Sequence, residues 1–543
     1  MISVELEKKV FYGGSIITMN PKQPLANAVG IVGEKIVSIG ELREVKKDLI
    51  AEYKMIDLKG KTLIPGFIDC HLHPIQFLLH LLNPDLSNVK GLKDLQSILK
   101  KAVEKKSKDE LTIGFNFSEE KFDDPLLPTR MDLDEACPNK PVFILRYDGH
   151  IGVANSKALE LAGIDRNSEI PEGGEIRKNE KGELTGVLSE KALSLILSKI
   201  TIPKKEDLDK AASTAFKIFA SNGITSLQGI VYFGKKSYYG LFGSSEVSIL
   251  KSIQEKILQN WYIMVNAEDP LKLIDLKKPP LDEGKKDSKF KVGSLKLFLD
   301  GSFGAKTACM FEAFTDAPEM CGFCIVEEDE IYEKMKLAHN NGFQIVIHAI
   351  GDKANRIAVD LYKKLLNEFP KSNHRHRIEH ASMLTKDVIE DMKEYGIIAS
   401  CQPPFLNSEY TWLEKRIGKE RCKYTYPFKS LVNNGVVLIS GSDCPVEDTS
   451  VILGLHALIS RNNFIPEECL TIEEALKTYT INAAYAAFEE DIKGSIEVGK
   501  FADLVILDKN PLEVSNHEIQ TIKVLETIIR GKTVFKKLLS SKR

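Results

Sequence analysis

This chain lacks an excess of either charge. Across 543 residues Lys and Arg number 74 and Asp and Glu 77, a net charge of -3. That excludes the broadly basic surface with which proteins neutralise nucleic acid or an anionic membrane. It also lacks a long apolar run. The richest, Ile75-Gln-Phe-Leu-Leu-His-Leu-Leu82, is too short to span a bilayer. Met1 to Lys9 mixes acidic and basic residues and has no apolar core of the kind a secretory leader carries. The nine cysteines, at 70, 137, 309, 321, 324, 401, 422, 444 and 469, are odd in number and form no regular framework. Reduced thiols in a cytoplasmic protein are expected, with no membrane and no nucleic-acid partner. There are no internal repeats and no low-complexity tract. A composition of 43% hydrophobic and 28% charged residues is that of an ordinary globular chain with a large core.

What is present is strand-like at both ends. Residues 10–18, 28–40 and 54–58 read as short strands, and so do 502–507 and 523–535. Neither end has enough strands for a stable two-layer unit. One composite β-sandwich domain, 1–61 with 489–543, is expected. Between the ends, eight strand-like runs alternate with amphipathic helical patterns: 62–69, 224–230, 261–266, 294–299, 344–348, 376–380, 397–401 and 436–440. Eight β-α units predict an α/β fold, a (β/α)8 TIM barrel over 62–83 and 211–488 with its chemistry at the C-terminal strand ends. The first connection is about 150 residues, against roughly 30 in a β-α-β unit. An inserted subdomain over 84–210, placed after strand 1, reads as a lid.

Candidate ligands stand at strand ends. His71 and His73 close strand 1, and alternate strand residues face one side, so both can reach one metal. Lys296 interrupts the apolar run Ser294-Leu-Lys-Leu-Phe-Leu299. It either snorkels from an exposed face or is neutralised by CO2 to a carbamate whose two oxygens bridge two metals. His348 and His380 close strands 5 and 6, one β-α unit apart, as ligands of a second metal. Asp443 follows strand 8, which neighbours strand 1 in a closed barrel, and is a candidate ligand and general base. His376 shares the parity of His380 and is read as facing deeper into the barrel. His80, His339, His374, His456 and His517 are read as structural or surface residues. Cys321-Gly-Phe-Cys324 has the spacing of half a zinc site without a visible second half.

The segment Leu63-Ile-Pro-Gly-Phe-Ile-Asp-Cys-His-Leu-His-Pro74 resembles the amidohydrolase superfamily. Its YtcJ-like branch, which includes N-substituted formamide deformylase, is similar at Leu127-Pro-Thr-Arg-Met-Asp-Leu-Asp134, Arg146-Tyr-Asp-Gly-His150 with Asn155-Ser156, and Gly173-Gly-Glu-Ile176. It is also similar at Lys296-Leu-Phe-Leu-Asp-Gly-Ser302, Ile347-His-Ala-Ile-Gly-Asp352, Arg377-Ile-Glu-His-Ala381 and Gly441-Ser-Asp-Cys-Pro445. The resemblance implies His71, His73 and Asp443 on one metal, His348 and His380 on a second, and Lys296 as a carboxylated bridge between two zinc ions. It implies hydrolysis of a small non-peptide amide by a metal-bound hydroxide, with Asp443, His380 and His150 as catalytic residues. It further implies a pocket of His150, Asp300, Ser302 and Cys444, and a homodimer. Cys444, where the branch often has Trp, and Gly114-Phe-Asn116, where it has Gly-Trp-Gly, are departures that bear on pocket shape. Two other classes stay open: a mononuclear deaminase of a nitrogen heterocycle, and a non-catalytic binding protein on the same scaffold.

Overall fold

Eight strands pair in parallel, in chain order, to form a nearly closed barrel. They are Phe67–Leu72, Ile224–Phe233, Asn260–Ala267, Phe290–Phe298, Gln344–Ala349, Arg377–His380, Ile398–Cys401 and Leu438–Ser440. The computed structural model describes residues 6–50, 52–104, 106–122, 126–147, 149–171, 174–234 and 245–538. Asp148 and Gly173, each part of a motif quoted above, lie outside the described residues. Helices such as Lys205–Ser221, Glu328–Asn340 and Asp352–Glu368 bury one apolar stripe each. Among the described residues no helix is long and apolar enough to cross a membrane.

The eighth strand and the first meet beyond the ladder. The Asp443 amide donates to the His71 carbonyl at 2.6 Å and the His73 amide to the Cys444 carbonyl at 2.7 Å. Asp69 accepts from the amides of His71 at 3.2 Å and Ser442 at 3.0 Å. Closing this seam brings the first-strand histidines against Asp443.

The strand expected over 62–69 is two strands. Thr62–Pro65 lies in a second sheet, parallel to Lys8–Ile17 and antiparallel to Leu504–Leu507, and Phe67–Leu72 opens the barrel. Gly66 is the joint between them, and a Cβ there would meet the Thr225 hydroxyl at 2.2 Å. Chain from both ends thus enters one eight-stranded sheet, packed on Phe11, Ile31, Leu63, Leu504 and Ile528.

The stretch after the first barrel strand holds a five-stranded sheet. It runs Gly174–Lys178, Leu184–Glu190, Ile151–Ala154, Val142–Arg146 and Thr112–Phe117 in spatial order. It stands over the C-terminal ends of the barrel strands and supplies Leu145, Arg146, Tyr147, His150 and Glu190 to the cavity there.

The barrel interior is ionic rather than wholly apolar. Arg377 and Glu379 are fully buried, with the guanidinium Nε donating to Glu379 Oε1 at 2.5 Å. Arg377 also donates to the Gln228 side chain and, at 2.8 Å, to the Cys70 carbonyl. Removing one partner of such a pair leaves a buried charge uncompensated, at a cost of about 3–5 kcal/mol. Arg377→Ala is therefore expected to lower the urea midpoint strongly, and Arg377→Met with Glu379→Gln to lower it less. An unchanged midpoint in the single variant would show that the pair is not a structural support.

Candidate metal centre

Each ligand candidate is held by the way its strand ends. Pro74 takes the first position of the helix Pro74–Leu82, where its missing N–H is no loss, so the strand stops at Leu72 and His73 stands at the helix N-cap. His71 and His73 then project from one edge. At strand 6, His380 has φ +70° and Ala381 +44°, and beyond strand 8 Asp443 has φ +59°. Left-handed backbone at non-glycine residues stores strain and recurs at functional sites. At His380 it also breaks strand parity. Arg377 and Glu379 take the interior, and His380 turns back over the barrel mouth.

The parity reading of His376 fails for that reason. His376 faces the helical layer, stacked on Tyr362, with its Nε2 2.9 Å from His339 Nδ1.

Three donors converge. His71 Nε2 and His73 Nε2 lie 3.4 and 3.1 Å from Asp443 Oδ1. Among the described residues they form the one group of three whose geometry suits a cation. His380 stands close by at a steep angle to both rings, its ring centre 4.8 Å from His71 and 4.3 Å from His348. His348 points its Nε2 at the Gly301 carbonyl, 3.0 Å away. Lys296 is fully buried, with its Nζ 4.7 Å from the centre of the Phe298 ring.

Electrostatics are set by burial. Desolvation lowers Lys296 to about 8 and holds His348 and His380 well below the ordinary imidazole range. Glu379 behaves oppositely: burial would raise it, but Arg377 and His71 outweigh that and bring it to about 2. The ionised Glu379 accepts from His71 Nδ1 and from the Ser400 hydroxyl at 2.8 Å. It thereby fixes the tautomer that leaves His71 Nε2 free for a cation.

Among the described residues Asp443 Oδ1, His380 Nδ1 and Lys296 Nζ are buried without hydrogen-bond partners. Buried polar atoms normally have partners, and imidazole with carboxylate suits a divalent cation. The donor set fits a metal, and Lys296 fits it only when neutral.

The cavity above the triad holds about 180 Å³. His150 and Ser302 line it, with Phe115, Tyr232, Phe298, Phe405 and Trp412. His150 Nδ1 lies 3.1 Å from Glu190. Two expected pocket residues stand elsewhere. Asp300 is fully buried and accepts from the amides of Cys309, Ile350 and Gly351 at 2.8–3.0 Å, because it ties the loop after strand 4 to the end of strand 5. Cys444 is buried under the seam, and Pro445 and Val446 line the cavity in its stead.

Sequence reading missed Glu379, although two charged residues at alternate positions of Arg377-Ile-Glu379 signal a pair facing a barrel interior. It also missed Glu409 and Glu447 on the cavity wall. Burial raises these to about 8 and about 7.

The amidohydrolase family model matches residues 54–535. The putative amidohydrolase YtcJ of Bacillus subtilis (strain 168) is 30% identical over 98% of this chain and 100% of its own length. N-substituted formamide deformylase of Arthrobacter pascens is 24% identical over 97% of this chain and 98% of its own. The solved structure of an uncharacterized metal-dependent hydrolase from Pyrococcus horikoshii OT3 superposes with a TM-score of 0.75 at 28% identity, covering 94% of this chain and 99% of that one. A family model spanning nearly the whole chain, over a barrel whose mouth gathers two histidines and an aspartate, leaves one assignment: the chain belongs to the amidohydrolase family.

Proposed function

We propose that this chain hydrolyses the carbon–nitrogen bond of a small non-peptide amide, of the N-substituted formamide kind, with two zinc ions. The observation that carries the reading is the convergence of His71 Nε2, His73 Nε2 and Asp443 Oδ1 at the floor of an aromatic-walled cavity. The similarity to N-substituted formamide deformylase over nearly the whole chain supports the bond type.

His71, His73 and Asp443 would hold one ion, and His348 and His380 the other, with Lys296 between. Bound there, a divalent ion supplies Lewis acidity and lowers the pKa of water towards about 7. The remaining work belongs to side chains. Glu379 holds His71 in register. Lys296, lowered to about 8 by burial, is partly uncharged near neutral pH, the form that adds CO2 to give a carbamate. Asp443 accepts the proton of the attacking water and delivers it to the leaving nitrogen. The C–N bond breaks, giving an amine and a carboxylic acid. His150, oriented by Glu190, donates to the carbonyl oxygen from the inserted subdomain. Phe298, Phe405 and Trp412 exclude water and receive the nitrogen substituent.

A one-metal deaminase is the second reading. What favours it is that three donors converge while His348 is engaged by the Gly301 carbonyl. Metal content separates the two. Elemental mass spectrometry of protein purified without chelator is expected to give about two metals per chain, falling to one or fewer in Lys296→Ala. One metal in both proteins would favour the deaminase, and none after zinc and bicarbonate a binding protein. For Asp443→Asn, turnover on an N-substituted formamide is expected to fall by about 10²–10⁴-fold, with KM changed only a few-fold. Normal turnover in steady-state assays would remove Asp443 from the proton path.

A further inference from the structure

The loop after the fourth barrel strand folds back on itself as a strap. The Ile325 amide donates to the Leu299 carbonyl at 2.8 Å, and the Met310 amide to the Cys321 carbonyl at 2.8 Å. Gly322 makes the return possible: its φ is +67°, and a Cβ there would lie 1.9 Å from the Ala308 carbonyl oxygen. This antiparallel course puts Cys309 and Cys324 face to face, Sγ to Sγ at 2.9 Å. Cys321, which the sequence pairs with Cys324 at zinc-finger spacing, is exposed instead. Among the described residues no third ligand joins the two thiols, which argues against a metal.

We propose that Cys309 and Cys324 are a redox-active dithiol that closes to a disulfide by exchange with a small-molecule disulfide. Approach by about 0.9 Å brings the sulfurs to bonding distance. Cys324 is the attacking group, because it is partly exposed in a surface groove that Lys353 also lines. A hydrogen bond from the Cys309 thiol holds its thiolate below the ordinary range. Cys324 attacks one sulfur of the oxidant and expels the first thiol, leaving a mixed disulfide. Cys309 then attacks Cys324 and expels the second. Two protein thiols become one disulfide while one oxidant disulfide becomes two thiols. The bond would fasten the strap at its base, beside Asp300, whose Oδ2 accepts from the Cys309 amide and whose Oδ1 lies 3.5 Å from His348 Nε2.

The test uses the folded full chain, reduced, desalted and exposed to excess glutathione disulfide. Free thiols are then capped with N-ethylmaleimide and the protein is digested with trypsin. All three cysteines fall in one peptide, since no Lys or Arg lies between 306 and 334. By mass spectrometry that peptide is expected to carry one maleimide, on Cys321, and to be lighter by about 2 Da for the two hydrogens lost. Cys321→Ser should keep the Cys309–Cys324 bond, and Cys309→Ser should leave Cys324 unbridged. In the wild-type chain three maleimides or a stable glutathione adduct on Cys324, or in Cys309→Ser a Cys321–Cys324 bond in place of the trapped glutathione adduct, would each overturn the proposal.

Discussion

A buried ion pair organises the barrel. Arg377 and Glu379 sit on one strand, fully out of water, and the pair reaches across the barrel interior to Gln228 on strand 2 and the Cys70 carbonyl on strand 1. Its second carboxylate oxygen takes the proton side of His71. A charge this deep is costly unless every lone pair is used, and here the arginine, the serine hydroxyl of strand 7 and the imidazole use them. One interaction thus fixes strand 6 against strands 1 and 2 and sets the face that His71 turns to the cavity. Lys296 lies in the same field, its charge penalised by burial and favoured by Glu379 and Asp443.

The seam between strands 8 and 1 is the second constraint. Two backbone hydrogen bonds and Asp69 draw Asp443 against the first-strand histidines, and Asp443 adopts left-handed backbone to reach them. Donors from opposite ends of the barrel sequence become neighbours only because the sheet closes.

Much of this was legible in the sequence. Eight apolar runs spaced by helical patterns gave the barrel, because parallel strands buried on both faces carry continuous hydrophobic signals. The two histidines of strand 1 and Asp443 could be placed together from barrel closure alone. Other features were hidden for physical reasons. The break at Gly66 depends on Thr225, more than a hundred residues away, which no local pattern reports. The orientation of His376 was misread because the positive φ of His380 ends strand alternation one residue early. Asp300 looked like a pocket wall because it directly follows a barrel strand, yet three amides claim its carboxylate. The pairing of Cys309 with Cys324, rather than Cys321 with Cys324, depends on a strap whose return is set by tertiary hydrogen bonds.

The short strand Thr62–Pro65 carries a consequence for how the chain comes together. It is flanked by Leu504–Leu507, more than four hundred residues later, and it runs through Gly66 into the strand that bears His71 and ends just before His73. During synthesis that segment emerges early and has no partner on this side until almost the entire polypeptide has been made. Pairings of such long sequence separation are slow to form and leave unpaired edges exposed meanwhile. The barrel strand Phe67–Leu72 gains its neighbour Ile224–Phe233 midway through the chain, whereas Thr62–Pro65, joined to it through Gly66, completes its pairing only when the C-terminal strands arrive.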